Sequence, residues 1–257
     1  MSVERGLLAF DVGNTSVNCA EHRGGRWRHV LRVHTRPVRD LATRLLGAMP
    51  EKERPDLARA RWLACSVHPA ADAAIETLRT EMGTGSLEFF GRELSVPIEN
   101  TLPEPDQVGR DRLLLALGAR EQFGAPCVIV CAGTAVTVDV VDAEGRFVGG
   151  AIAPGFALAA RALHEGAALL PLAEPAEAGP VPGRSTEEAI RLGIRAFCAG
   201  GVARLVEQYG SIEGMAEAPV VCTGTDAPLL TPALPPARTR QEPDLIFHGM
   251  AAAVEGE

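Results

Sequence analysis

Three short segments hold the residues best suited to do chemistry. "DVGNT", Asp11–Thr15, closes an apolar run with a carboxylate, a glycine and two short polar side chains. "CAGTA", Cys131–Ala135, has the same build with a thiol where the carboxylate stood. Laying Gly13 on Gly133 puts Asp11 on Cys131. Glycine lets backbone approach a ligand closely, and the N–H groups of such a turn form an anion-holding concavity. With Asp11 accepting from metal-bound waters, the first turn could hold phosphate oxygens and a hydrated Mg²⁺. The competing reading is a plain hairpin turn, for which Gly-Asn is a common pair. The third segment is "GRDR", with Asp111 between Arg110 and Arg112 at an expected helix start. A carboxylate there could take a proton from a hydroxyl. Its arginine neighbours are expected to keep it ionised and to attract phosphate or carboxylate. The competing reading is a solvated helix start. No GxxxxGK[ST] occurs, which excludes a Walker-type site.

The elements around these segments repeat. Residues 6–34 predict three strands joined by turns at Gly13-Asn14 and Gly24-Gly25. A helix is expected from Pro37 to Met49, a strand in "ARWLACSVHP", and a helix from Pro69 to about Met82. "LEFFG" reads as a short strand, and a Pro-rich loop then enters a helix, Asp111 to Phe123. A second set of three strands runs from Cys127 to near Pro154, followed by a helix from Ala157. "EPAEAGPVPG", residues 174–183, reads as a loop. Ser185 and Glu188 suit a capping box for a long helix or helix pair. "APVVCTGTDAPLL" predicts strand, turn and helix start, then a loop, then a closing helix in "LIFHGMAAAVEG". The order βββ-α-β-α thus occurs twice, which points to an internal duplication. The expected fold is α/β, with halves at 1–124 and 125–257. Paired phosphate-holding turns facing one another across a cleft describe the actin, Hsp70 and sugar-kinase (ribonuclease H-like) architecture.

Bulk composition narrows the partners. The net charge of −8 over 257 residues argues against a non-specific nucleic-acid or membrane-surface binder. No basic-then-apolar leader or membrane-length run is read, so a cytoplasmic protein is expected. Six cysteines without CxxC spacing, mostly in apolar runs, read as buried reduced thiols.

In order and spacing, "DVGNT", "VGRDR", "AGTAVTVDVVD", "GGAIAPG" and "STEEAIRLG" resemble the type III pantothenate kinases. "VVCTGTDA" and "DLIFHGM" resemble that family's adenosine loop and closing segment, so the resemblance spans nearly the whole chain. The family also includes the Bvg accessory factor proteins. The resemblance implies Mg-ATP-dependent phosphorylation of pantothenate, the first step of coenzyme A synthesis, in a homodimer with pantothenate near the subunit interface. Carried over by position, ATP contacts fall on Asp11, Val12, Gly13, Asn14, Thr15, Ser16, Val17 and Asn18, and on Gly133 and Thr134. Pantothenate contacts fall on Gly109, Arg110, Asp111, Arg112 and Thr186, with Asp111 as general base.

The chain departs from the family pattern at three places. Cys131 stands where the family has an aspartate that binds an activating monovalent cation (K⁺ or NH₄⁺). K⁺ prefers several hard oxygens and a neutral thiol is a poor substitute, so the cation role is expected to be lost. Leu102 stands at a tyrosine position, and the chain's one tyrosine is Tyr209. Thr225 replaces the second glycine of Thr-Gly-Gly. Two other readings therefore stand beside the kinase. One is an accessory-factor-like binding protein, and the other a kinase for a different small hydroxyl substrate. Retention of Asp111 favours an enzyme, since a pure binder has no need of a base.

Overall fold

A computed structural model of the chain describes residues 6–174 and 179–255. It divides into two compact units. The first is Met1–Ile98 with Asp106–Glu121 and Asp244–Glu257, and the second is Glu99–Pro105 with Gln122–Pro243. The halves expected from sequence, 1–124 and 125–257, are continuous, whereas the closing helix falls in the first unit and a short linker in the second.

In the first unit, strands β1 (Leu7–Val12), β2 (Ser16–Arg23) and β3 (Arg26–His34) form an antiparallel meander. Helices α1 (Leu41–Ala48) and α2 (Arg54–Leu57) lead to β4 (Arg61–Ser66), which pairs parallel with β1. Helix α3 (Pro69–Met82) then leads to β5 (Leu87–Phe89). The sheet order is β3-β2-β1-β4-β5. Side chains alternate across a strand. Leu8, Phe10 and Val12 therefore share a core with Leu41 and Leu45 of α1 and Ile75 and Leu78 of α3. Asp11 is turned to the opposite face.

Two further helices, α4 (Arg110–Phe123) and α8 (Leu245–Val254), complete this unit. They meet at glycines. A Cβ on Gly118 would lie 2.4 Å from the Leu245 carbonyl oxygen, and one on Gly249 2.0 Å from that of Leu114. Only glycine permits such backbone contact, which explains why the last helix packs with the first unit. Phe247 of α8 also stacks on Trp27 of β3, with ring centroids 5.3 Å apart.

The second unit repeats the plan with β6 (Cys127–Ala132), β7 (Ala135–Val141), β8 (Phe147–Pro154), β9 (Val220–Thr223) and β10 (Thr239–Gln241). Its order, β8-β7-β6-β9-β10, matches the first sheet strand for strand. Helices α5 (Phe156–Gly166), α6 (Thr186–Gly210) and α7 (Ala227–Leu230) cover one face. Val128, Val130 and Ala132 of β6 pack with Phe156, Ile194 and Leu230 in that core. The capping box of Ser185 and Glu188 is formed, and α6 is a single helix. The expected loop at 174–183 lies partly on residues 175–178, outside the described residues. None of the six cysteines forms a disulfide, and four of them are buried. Among the described residues no helix is long and apolar enough to cross a membrane.

Candidate active site

Asp11 is the penultimate residue of β1 and sits in a row of registered neighbours. Asn18 of β2 is opposite it on one side and Cys65 of β4 on the other. Arg32 of β3 is opposite Asn18. The Asn18 amide donates to Asp11 Oδ2 at 3.0 Å, which fixes the carboxylate. Burial pushes the Asp11 pKa up to about 6; the Asn18 bond opposes this, the Asp111 charge adds to it, and Arg32 opposes it. The turn beyond is closed by a bond from the Gly13 N–H to the Ser16 carbonyl, 2.9 Å. Asn14 and Thr15 are exposed, while Val12 and Val17 lie in the core. Of the stretch 11–18, the two valines thus offer a ligand nothing but backbone.

Asp111 is the second residue of α4, and its carboxylate rests against Gly109, where a Cβ would meet Oδ1 at 2.4 Å. The sequence predicts an aspartate kept ionised by its arginine neighbours. In the structure burial raises the Asp111 pKa, and the Arg112 N–H and then the Arg112 charge oppose that rise. Arg110 instead points to Asp106, 3.8 Å away, and lies over Gly91. Cys65 feels both carboxylates, and burial together with those charges pushes its thiol well up. Asp11, Asn18 and Asp111 are therefore brought into one neighbourhood of the first unit.

That neighbourhood suits a hydrated divalent cation. Burial raises the pKa of both hard-oxygen carboxylates, a cost that a bound cation would offset, and Asn18 engages one oxygen of Asp11. Among the described residues no group of three or more His, Cys, Asp or Glu is gathered to grip a metal directly. Binding through water fits both observations.

In the second unit Cys131 is the penultimate residue of β6, the place Asp11 holds in β1. Its registered neighbours are Thr137 and Thr223. The Thr137 hydroxyl is buried without a hydrogen-bond partner among the described residues. This row holds hydroxyls and a thiol where the first holds charge. The turn is closed by Gly133 N–H to the Ala135 carbonyl, 3.0 Å. Gly155 and Gly224 support it, since a Cβ on either would strike the carbonyl oxygen of Gly133 (2.0 Å) or Ala132 (2.2 Å). Thr134 stands in this turn, and Thr186 is the exposed first residue of α6. Leu102 packs on Gly149, whose φ is +108°.

Sequence reading missed Thr35, which is fully buried and bonded to the first turn, and Arg32, which acts on Asp11. Counting register from the Gly24-Gly25 turn would have placed Arg32 near Asn18. The bulge between Cys19 and Ala20 shifts that count by one.

The family model for type III pantothenate kinases matches residues 7–208. A type III pantothenate kinase of Gluconobacter oxydans is 34% identical over 232 residues, covering 89% of this chain and 86% of that protein. One from Agathobacter rectalis is 31% identical over 230 residues, 85% of each chain. Among solved structures, a Baf family transcriptional activator from Campylobacter jejuni aligns with a TM-score of 0.59. It is 17% identical, with 97% of this chain and 98% of that one covered. MreB5 of Spiroplasma citri bound to AMPPNP aligns with a TM-score of 0.54 at 11% identity, covering 98% and 97%. Those two likenesses establish the actin-like α/β fold. The sequence matches go further: this chain belongs to the type III pantothenate kinase family.

Proposed function

We propose that the chain transfers the γ-phosphoryl group of ATP to the primary hydroxyl of pantothenate, giving 4'-phosphopantothenate and ADP. This is the first step of coenzyme A biosynthesis. The observation that carries the reading is Asp111 at the head of α4 beside Asp11, in a family of kinases. Asp111 accepts the hydroxyl proton as the pantothenate oxygen attacks phosphorus and ADP leaves. Its raised pKa makes it a better acceptor than an ordinary carboxylate at neutral pH. The stretch Asp11–Asn18 and the turn at Gly133-Thr134 hold the phosphates, largely through backbone N–H groups. Gly109, Arg110, Arg112 and Thr186 bind pantothenate, whose carboxylate calls for positive charge.

Asp11 would hold Mg²⁺ through water. When bound, the ion neutralises phosphate charge, which matters because phosphoryl transfer rests on positioning and electrostatics. The Cys131 row offers no carboxylate, so the enzyme works without a dedicated K⁺ or NH₄⁺ site. The active species is a cytoplasmic homodimer. An apolar groove of about 490 Å³ lined by α5, α6 and β7–β8, with Phe197 84% exposed, supports the dimer.

Asp111→Asn tests the assignment of the base. Turnover should fall by roughly 10²–10⁴, the usual worth of a general base, with Mg-ATP affinity kept. Turnover near that of the unmodified protein would remove Asp111 from the mechanism.

A further inference from the structure

We propose that Thr35, braced by Arg44, is a positioning residue that sets the ATP-phosphate turn Gly13–Thr15. Thr35 is fully buried directly after β3. A buried hydroxyl must find a partner, and this one donates to the Gly13 carbonyl at 2.7 Å. The Thr35 N–H donates to the Thr15 carbonyl at 2.9 Å. One residue thus draws two carbonyls of the turn toward itself. In a trans peptide C=O and N–H point in opposite directions. The N–H that follows Gly13, that of Asn14, is therefore aimed away from Thr35. Fixing carbonyls on one side presents N–H groups on the other, as an anion-holding turn requires.

Thr35 is held in its turn. Arg44 of α1 donates to the carbonyls of His34 (2.6 Å), Thr35 (3.4 Å) and Pro37 (2.6 Å). Its Nε donates to Asp40 at 3.0 Å. A charged fork on a helix therefore pins the segment that pins the turn.

The second unit gives an independent reason to assign this position a turn-holding role. Gly155 directly follows β8, as Thr35 follows β3. Its N–H donates to the Thr134 carbonyl at 3.0 Å, the counterpart of the Thr35 bond to Thr15. There the glycine packs straight onto the Gly133 carbonyl, whereas the first unit spans the same gap with a hydroxyl. Both copies hold the turn from the residue after the third strand.

This inference rests on the reading of Asp11–Asn18 as ATP-binding. Thr35→Val removes the hydroxyl at nearly constant shape, and Thr35→Ser keeps it. Mg-ATP affinity should weaken about tenfold in Thr35→Val, the scale of one lost buried hydrogen bond. KM for ATP should rise more than kcat falls, and Thr35→Ser should bind as the unmodified protein does. Hydrogen–deuterium exchange across residues 13–18, without nucleotide, should speed up in Thr35→Val and not in Thr35→Ser. Should Thr35→Val fail to fold, Arg44→Gln takes its place, with the same two readouts moving in the same direction. Unchanged exchange or unchanged ATP affinity in the folded variant would overturn the proposal. A protein that binds Mg-ATP but does not phosphorylate pantothenate would refute the proposed function and leave this assignment standing.

Discussion

Asp11 is the residue whose environment makes the sharpest demand. Burial first, and Asp111 second among the groups that raise it, lift its pKa from 3.8 to about 6 against the pull of Asn18 and Arg32. The folded state therefore binds a proton that the unfolded chain releases above pH 3.8. The stability from that proton is complete below pH 3.8 and is lost as pH rises through about 6. Asp111 is shifted in the same direction. Without ligands, the melting temperature should fall as pH rises across this window, and Asp11→Asn should flatten the fall. The size of the effect is on the order of 3 kcal/mol. Thermal unfolding from pH 4 to pH 8 reads it directly, and an unchanged slope in Asp11→Asn would assign the drop to other groups. Mg²⁺ should restore stability at the high end in the unmodified protein and not in Asp11→Asn.

Most elements were legible because their patterns were strong. The six meander strands alternate around glycine turns, α3 begins and ends at Pro69 and Met82 as read, and Ser185 caps α6. What was missed lacked such patterns. Strand β10 is three partly or fully exposed residues with no apolar alternation, and it exists because β9 offers it a parallel edge. Helix α2 is a single turn, anchored by the Trp62 indole N–H, which donates to the Leu57 carbonyl at 2.8 Å. The chemistry of the turns was legible from residue type, but the supports from β3 were not. Thr35 and Arg32 act through register and tertiary bonds, which residue type does not reveal. The placement of α8 was likewise hidden, since it depends on Gly118 and Gly249 meeting from distant parts of the sequence, a pairing no local pattern singles out. Gly249→Ala would force a Cβ to 2.0 Å from the Leu114 carbonyl. It should cost about 1–3 kcal/mol through overpacking, read from the denaturant midpoint. A neutral outcome would mean that α4 and α8 separate easily.

For the whole molecule, two sheets of identical strand order carry Asp11 and Cys131 at matching strand ends. The duplication is thus visible in topology as well as in sequence, and the two copies have diverged in charge. The apolar groove of the second unit bears on assembly. Phe197→Glu should convert the proposed dimer to monomer in sedimentation, and a monomeric unmodified protein would remove the dimer from the account. The central claim is tested most directly by mass spectrometry of the products formed from pantothenate and Mg-ATP in a sodium buffer free of K⁺ and NH₄⁺. Formation of 4'-phosphopantothenate with matching ADP release, little increased by added K⁺, is the result predicted here. Absence of the phosphorylated product in both sodium and potassium buffers, from a folded protein that binds ATP, would contradict it.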